Sequence, residues 1–178
     1  MNCKTLWWVV LVGIELASIP FSSADENING RRGRLSTADY RFAAAVAEAG
    51  MMEVRLGELA RAQGADIAVR QFGDRMVVDH GIAGNDLIVL AAKKAAILPT
   101  QITPEHQRQL DRLRKMSGKD FDQAYARMMV EDHQKDLKEF RKAALTANDP
   151  DLKAFAAKLA EVSSAHLDQA RQMETKVR

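Results

Sequence analysis

The sequence predicts an all-α protein: an antiparallel four-helix bundle with a short extra helix in the connector between its second and third long helices. Three observations predict it. Hydrophobic residues make up 47% and aromatics only 6%, a composition rich in helix formers and without long alternating Val/Ile/Thr runs. Four long stretches carry apolar residues at spacings of three and four. Each stretch is bounded by its own capping or turn residues.

The first helix starts at Ser36 or Thr37, where Ser36-x-x-Asp39 has the form of a capping box, and runs to about Gln63 before Gly64. Phe42, Val46, Ala49, Leu56 and Ala60 form its stripe. The second runs from about Asp66 to Ala95 on Val69, Phe72, Met76, Ala83, Leu87 and Leu90. Pro99 and Pro104 break the following connector. Thr103-Pro104-Glu105 starts a short helix ending near Lys115, since proline suits the first helical position. The third long helix follows Ser117 and carries Phe121, Tyr125, Met129, Leu137, Phe140 and Ala144. Asn148-Asp149-Pro150 is both a turn and the start of the fourth, with Leu152, Phe155, Leu159, Val162, Ala170, Met173 and Val177. Tight turns near Gly64 and at Asn148-Asp149-Pro150 make two antiparallel hairpins, and the longer connector either turns back or crosses the bundle lengthwise. Phe72 to His80 also resembles Tyr125 to His133, which suggests a duplicated hairpin.

Residues 1–24 read as a secretory signal peptide, with Lys4 before the apolar run Leu6 to Ile19 and small residues Ser22-Ser23-Ala24 before a cut. Glu15 interrupts the run, and an uncleaved membrane anchor is the competing reading. Residues 25–35 read as a flexible linker, and the bundle domain as 36–178. The protein is expected in the periplasm or outer envelope, with no stable membrane insertion after cleavage. Cys3, the single cysteine, precedes the apolar run, so the mature chain has no thiol chemistry. A net charge of +2 with interleaved signs argues against nucleic acid as a partner. A homo-oligomer is compatible with the sequence.

Glu53, His80, His133 and His166 fill gaps in the apolar stripes, one on each long helix, so each points at the core. Glu53 and His80 are equidistant from the Gly64 turn, and His133 and His166 from the Asp149-Pro150 turn. The four are therefore expected at one level near mid-bundle. Three imidazoles and a carboxylate suit Zn, Fe, Mn or Cu. Asp79 and Asp132, each just before a core histidine, are expected to orient ligands or join them. The alternative is a buried polar network that fixes helix register. The Glu-x-x-His pairs of di-iron bundles are missing, because Val77, Val130 and Ser163 stand three residues before the histidines. His106 is expected in solvent, and Met76 and Met129 as core filler. No phosphate loop or nucleophile elbow is present, and no residues are assigned to catalysis.

Met-Glu-x-x-x-Gly-x-Leu-Ala at 52–60, Phe-x-x-x-Met-Val-x-Asp-His at 72–80 and Ser-Gly-x-x-Phe-Asp-x-x-Tyr at 117–125 carry a family resemblance. So do Met-Val-x-Asp-His at 129–133 and Phe-Ala followed by His166 at 155–166. Together they resemble the exported bacterial proteins of domain of unknown function 4142, over about residues 37–176. The resemblance implies a ferritin-like helical bundle, exported, with no established activity. The functional expectation is a periplasmic metal-binding bundle in metal handling or stress defence. Its alternative is a non-catalytic envelope protein whose Glu/His layer is structural.

Overall fold

A computed structural model describes residues 33–178; the signal peptide expected over 1–24 and the linker as far as residue 32 lie outside the described residues. Five helices follow: α1 Thr37–Gln63, α2 Ile67–Lys93, α3 Pro104–Arg114, α4 Gly118–Thr146 and α5 Pro150–Val177. The long helices of 27 to 29 residues each span about 40 Å at 1.5 Å per residue. They form the all-α antiparallel bundle that the periodicity predicts. No described helix is long and apolar enough to cross a membrane.

The connector crosses the bundle lengthwise, and its path can be followed along α1. Tyr40 Oη donates to the Ile97 carbonyl at 2.9 Å and Glu48 accepts from the Thr103 amide at 3.0 Å. Further on, Arg55 donates to Gln107 at 3.4 Å and Gln63 to the Arg114 carbonyl at 3.2 Å. The connector and α3 therefore run parallel to α1, so α4 starts at the end where α2 started. With α2 and α4 parallel, the pairs α1/α2, α2/α5, α5/α4 and α4/α1 all lie antiparallel.

The two hairpins cap each other. Asp39, buried near the start of α1, accepts from the amides of Asn148 and Asp149, each at 3.1 Å, in the α4–α5 turn. Asp122, buried near the start of α4, accepts from Ala65 and Asp66 at 2.9 and 2.6 Å in the α1–α2 turn. Carboxylates taking two amide donors are strong, fixed contacts. The capping box is thus half right: Ser36 accepts from the Asp39 amide at 3.1 Å, but the Asp39 carboxylate reaches across the bundle instead of back to its own N-cap. Ser117 caps α4 without a side-chain bond, and Gly118 enters the helix at φ +58°. At the other end, Lys94 ties the end of α2 to Asp149 and Asp151 at 2.7 and 2.8 Å.

These contacts expose an internal register. Asp39 and Asp122, Glu53 and Asp136, Asp66 and Asp149, and Phe72 and Phe155 all stand at the same separation in sequence. The duplicated hairpin therefore pairs α1 with α4 and α2 with α5. The Phe72–His80 likeness to Tyr125–His133 set α2 against α4, and that register is corrected: His80 corresponds to Ser163.

Two apolar clusters fill the interior. One gathers Leu56, Phe72, Met76, Phe121, Tyr125 and Met129 with Leu110 and Leu113 of α3. The other gathers Ala43, Leu87, Phe140, Leu152, Phe155 and Leu159 toward the opposite end. Met76 and Met129 are fully buried packing residues, as expected. The hairpin α1–α2 is pinched where Gly57 faces Gly73. A β-carbon at Gly57 would meet the Gly73 carbonyl oxygen at 2.7 Å, and one at Gly73 would meet the Gly57 oxygen at 2.7 Å.

Gly57→Ala should therefore lower stability by about 1–3 kcal/mol in urea unfolding, because backbone rather than a yielding side chain blocks the methyl. Gly50→Ala, where nothing lies within 4 Å of the added carbon, should be neutral or raise stability by up to ~1 kcal/mol. Equal midpoints for the two variants would contradict the close helix approach.

Candidate metal centre

Between the apolar clusters lies a polar layer. The stripes of α2, α4 and α5 bring His80, His133 and His166 together, with one ring nitrogen from each lying within 4.8 Å of the others. Ring centroids are 5.9 Å apart for His80–His133, 5.5 Å for His80–His166 and 5.3 Å for His133–His166. His133 and His166 are each only 1% exposed, and His80 is half-buried. Phe72 packs its ring against His133 and His166 at 6.1 and 6.3 Å, closing one side.

Neighbouring groups settle the tautomers. His133 Nδ1 lies 2.9 Å from the Met129 carbonyl oxygen, which can only accept, so Nδ1 carries the proton. His166 Nε2 lies 2.8 Å from Asp79 Oδ2 and donates to it. That leaves His133 Nε2 and His166 Nδ1 as bare lone pairs, and both are buried without a protein partner. His80 Nε2 is buried without one too. An unpartnered buried polar atom costs roughly 1–3 kcal/mol, so three in one cluster form a concentrated expense.

The imidazoles are held neutral. Burial pushes His80 down to about 3, helped by His133 and His166 and opposed by Asp79. Burial also lowers His133 to about 4, with His166 adding and the Met129 carbonyl opposing. His166 is lowered by burial against the pull of Asp79. For Asp79, burial raises the carboxyl, but hydrogen bonds from His166 and Arg75 outweigh it and hold it below the usual range. Three neutral imidazoles can take up a cation without first releasing protons.

Glu53 is buried, as its position in the stripe predicts, at 3% exposure. It does not join the three-histidine group. It belongs to a separate acidic patch facing α4: burial first, then Asp132 and Asp136, push it well above the carboxylate range. Its Oε2 has no partner, nor does the buried hydroxyl of Tyr125, which burial and then Glu53 push upward. Of the two expected orienting carboxylates, Asp79 grips His166. Asp132 grips no histidine and lies 3.6 Å from Lys135, while the Met129 carbonyl orients His133 in its place. His106 was expected in solvent, but its Nδ1 lies 2.9 Å from Glu48 at the connector. Sequence reasoning also missed Asp136, which burial and Asp132 push up to about 7 against Lys135. The available signal was His133-x-x-Asp136, one helical turn on the same face. Finally, a partly open cavity of about 810 Å³ reaches this layer, with His80, His166, Asp79 and Asp136 among its lining.

A family model described as "Domain of unknown function (DUF4142)" matches residues 28–173. Among solved structures, the chain is similar to one titled "Crystal structure of DUF305 fragment from Deinococcus radiodurans". The TM-score is 0.69 at 14% identity, with 81% of this chain and 97% of that chain covered, a likeness of fold alone. No curated protein matches the chain.

Asp136 supplies a pH test of the layer. With its carboxyl near 7 in the folded chain and about 3.9 unfolded, the folded state holds the extra proton between those values. Its contribution is present below about pH 4 and lost as pH rises through 7. Asp136→Asn should therefore be more stable than the parent at pH 8, by on the order of 1–3 kcal/mol. That advantage should shrink to nothing by about pH 4 in urea titrations. A gap independent of pH would show that Asp136 is not buried beside other acids.

Proposed function

The chain belongs to the DUF4142 family, and from that starting point we propose that it is an exported bundle protein that binds one transition-metal ion at His80, His133 and His166. The observation that carries this reading is the convergence of His80, His133 and His166 from three helices, each with a buried ring nitrogen that has no protein partner. A purely structural polar layer would be expected to satisfy its own donors and acceptors, as Asp39 and Asp122 do at the bundle's ends. At His133 and His166 one ring nitrogen is bonded and the other is bare. That is the pattern in which a metal-ligating histidine donates its other N–H to a carboxylate or carbonyl.

The donor set bears on the metal. Three imidazoles suit Zn or Cu, and Fe less exclusively, whereas Mn prefers carboxylate and water. Glu53, which the sequence suggested as a direct ligand, stands outside the three-nitrogen group and is not assigned to the ion. The three histidines leave a coordination position open, as in sites that exchange a small ligand. Export rests on the N-terminal pattern Lys4, Leu6 to Ile19 and Ser22-Ser23-Ala24. Such a protein serves metal handling or stress defence in the envelope.

A second reading has its own observation. The cavity reaches His80 and His166, so water entering it can satisfy their nitrogens and leave a structural polar layer.

Metal analysis of untagged protein separates the two. After loading with Zn, Cu, Fe or Mn in turn and dialysis, one equivalent should remain for at least one metal. His133→Ala and His166→Ala should abolish it. Asp79→Asn should weaken binding by about 10–100-fold, because the imidazole of His166 loses its orienting acceptor. Retention of no metal, or retention indifferent to both alanine substitutions, overturns the metal reading and favours the polar layer.

A further inference from the structure

The register that relates the two hairpins breaks down in the polar layer. His133 on α4 corresponds to Gly50 on α1, and His166 on α5 corresponds to Ala83 on α2. At these two positions α4 and α5 carry imidazole rings where α1 and α2 carry a glycine and an alanine; at the third the order is reversed, with His80 on α2 and Ser163 on α5. The cavity is lined by Gly50 and Ala83, and a β-carbon at Gly50 or at Gly84 would find nothing within 4 Å. Its walls are mainly apolar, with Val46, Leu87, Leu98 and Val162 contributing, and His80 and His166 are among its polar lining. At about 810 Å³ it falls within the roughly 300–1,000 Å³ typical of small-molecule sites.

We infer that this cavity binds a straight-chain monocarboxylate, its aliphatic tail among the apolar walls and its carboxylate on the open coordination position of the metal. The inference rests on the metal reading above. Charge selects the head group. A divalent ion held by three neutral imidazoles keeps its full positive charge, and the nearby Asp79 carboxylate is already matched by Arg75 at 3.2 Å. An anionic oxygen is the complement of that charge at a site with mainly apolar walls. Wall composition selects the tail, since each methylene moved from water to an apolar wall adds affinity.

The test loads the full mature chain with Co²⁺, whose visible spectrum reports its ligands. Acetate, butyrate, hexanoate, octanoate and decanoate are then titrated in. Each should change the cobalt spectrum, and affinity should rise about threefold to fourfold per added methylene until the cavity is full. Gly50→Leu, outside the imidazole cluster, should keep the cobalt stoichiometry and lose the chain-length dependence. Cobalt that binds but gives equal affinities for acetate and decanoate, or no spectral change with any carboxylate, overturns this inference alone. So does a Gly50→Leu protein that keeps the full slope. Failure of cobalt to bind overturns the metal reading and this inference together.

Discussion

The constraint on which the rest of the molecule depends is a layer of polar atoms at mid-bundle, set between two apolar clusters. Three ring nitrogens, a carboxyl oxygen of Glu53 and the hydroxyl of Tyr125 are buried there without protein partners. A domain's net stability is only about 5–15 kcal/mol, and several such atoms at roughly 1–3 kcal/mol each consume a large share of it. The bundle meets that demand at its ends. Asp39 and Asp122 each lock the opposite hairpin's turn through two amide hydrogen bonds, and Lys94 joins the end of α2 to the start of α5. Rigid ends fix the helix register, and fixed register keeps His80, His133 and His166 at one level.

The close approach at Gly57 and Gly73 acts in the same direction. It sets α1 against α2 with little freedom to slide, about two turns before His80 along α2. Because α2 also lies beside α5, a fixed α2 places Asp79 where its carboxylate can accept the His166 N–H. The oriented tautomer of His166 thus depends on a glycine contact in a different hairpin. On α4 the orientation is local, since Met129 and His133 are one turn apart on the same helix. Two of the three imidazoles are therefore oriented by independent means.

Much of the fold was legible because bundle formation is written in local signals. Periods of three and four marked the stripes, Pro104 and Pro150 marked helix starts, and Gly64 marked the first turn. Counting outward from the turns placed the three histidines at one level correctly. What counting could not supply is the direction around the helix at which a side chain meets its neighbours. Glu53 has the right height, but α1 borders α2 and α4, and its carboxyl falls beside Asp132 and Asp136 rather than among the rings. Asp132 failed as an orienting group for a related reason: a backbone carbonyl one turn back already held His133. The path of the connector was open in the sequence because Pro99 permits either course. It is settled by long-range bonds from Tyr40, Glu48, Arg55 and Gln63, which no local pattern announces.

The broken register gives the site its asymmetry. Where the hairpins correspond, they share roles: Asp39 with Asp122 as cross-caps, Asp66 with Asp149 as N-caps, Glu53 with Asp136 as acids whose carboxyls are pushed upward. At Gly50/His133 and Ala83/His166 they differ, with rings on α4 and α5 and small residues on α1 and α2. A symmetric layer with histidines at both sets of positions would crowd the core and bury many more unpartnered nitrogens. Confining the rings to α2, α4 and α5 gives one cluster, and leaving Gly50 and Ala83 small keeps space beside it. The same step that limits the number of unpartnered nitrogens also leaves them an approach, so a buried cluster and an accessible one are not in conflict.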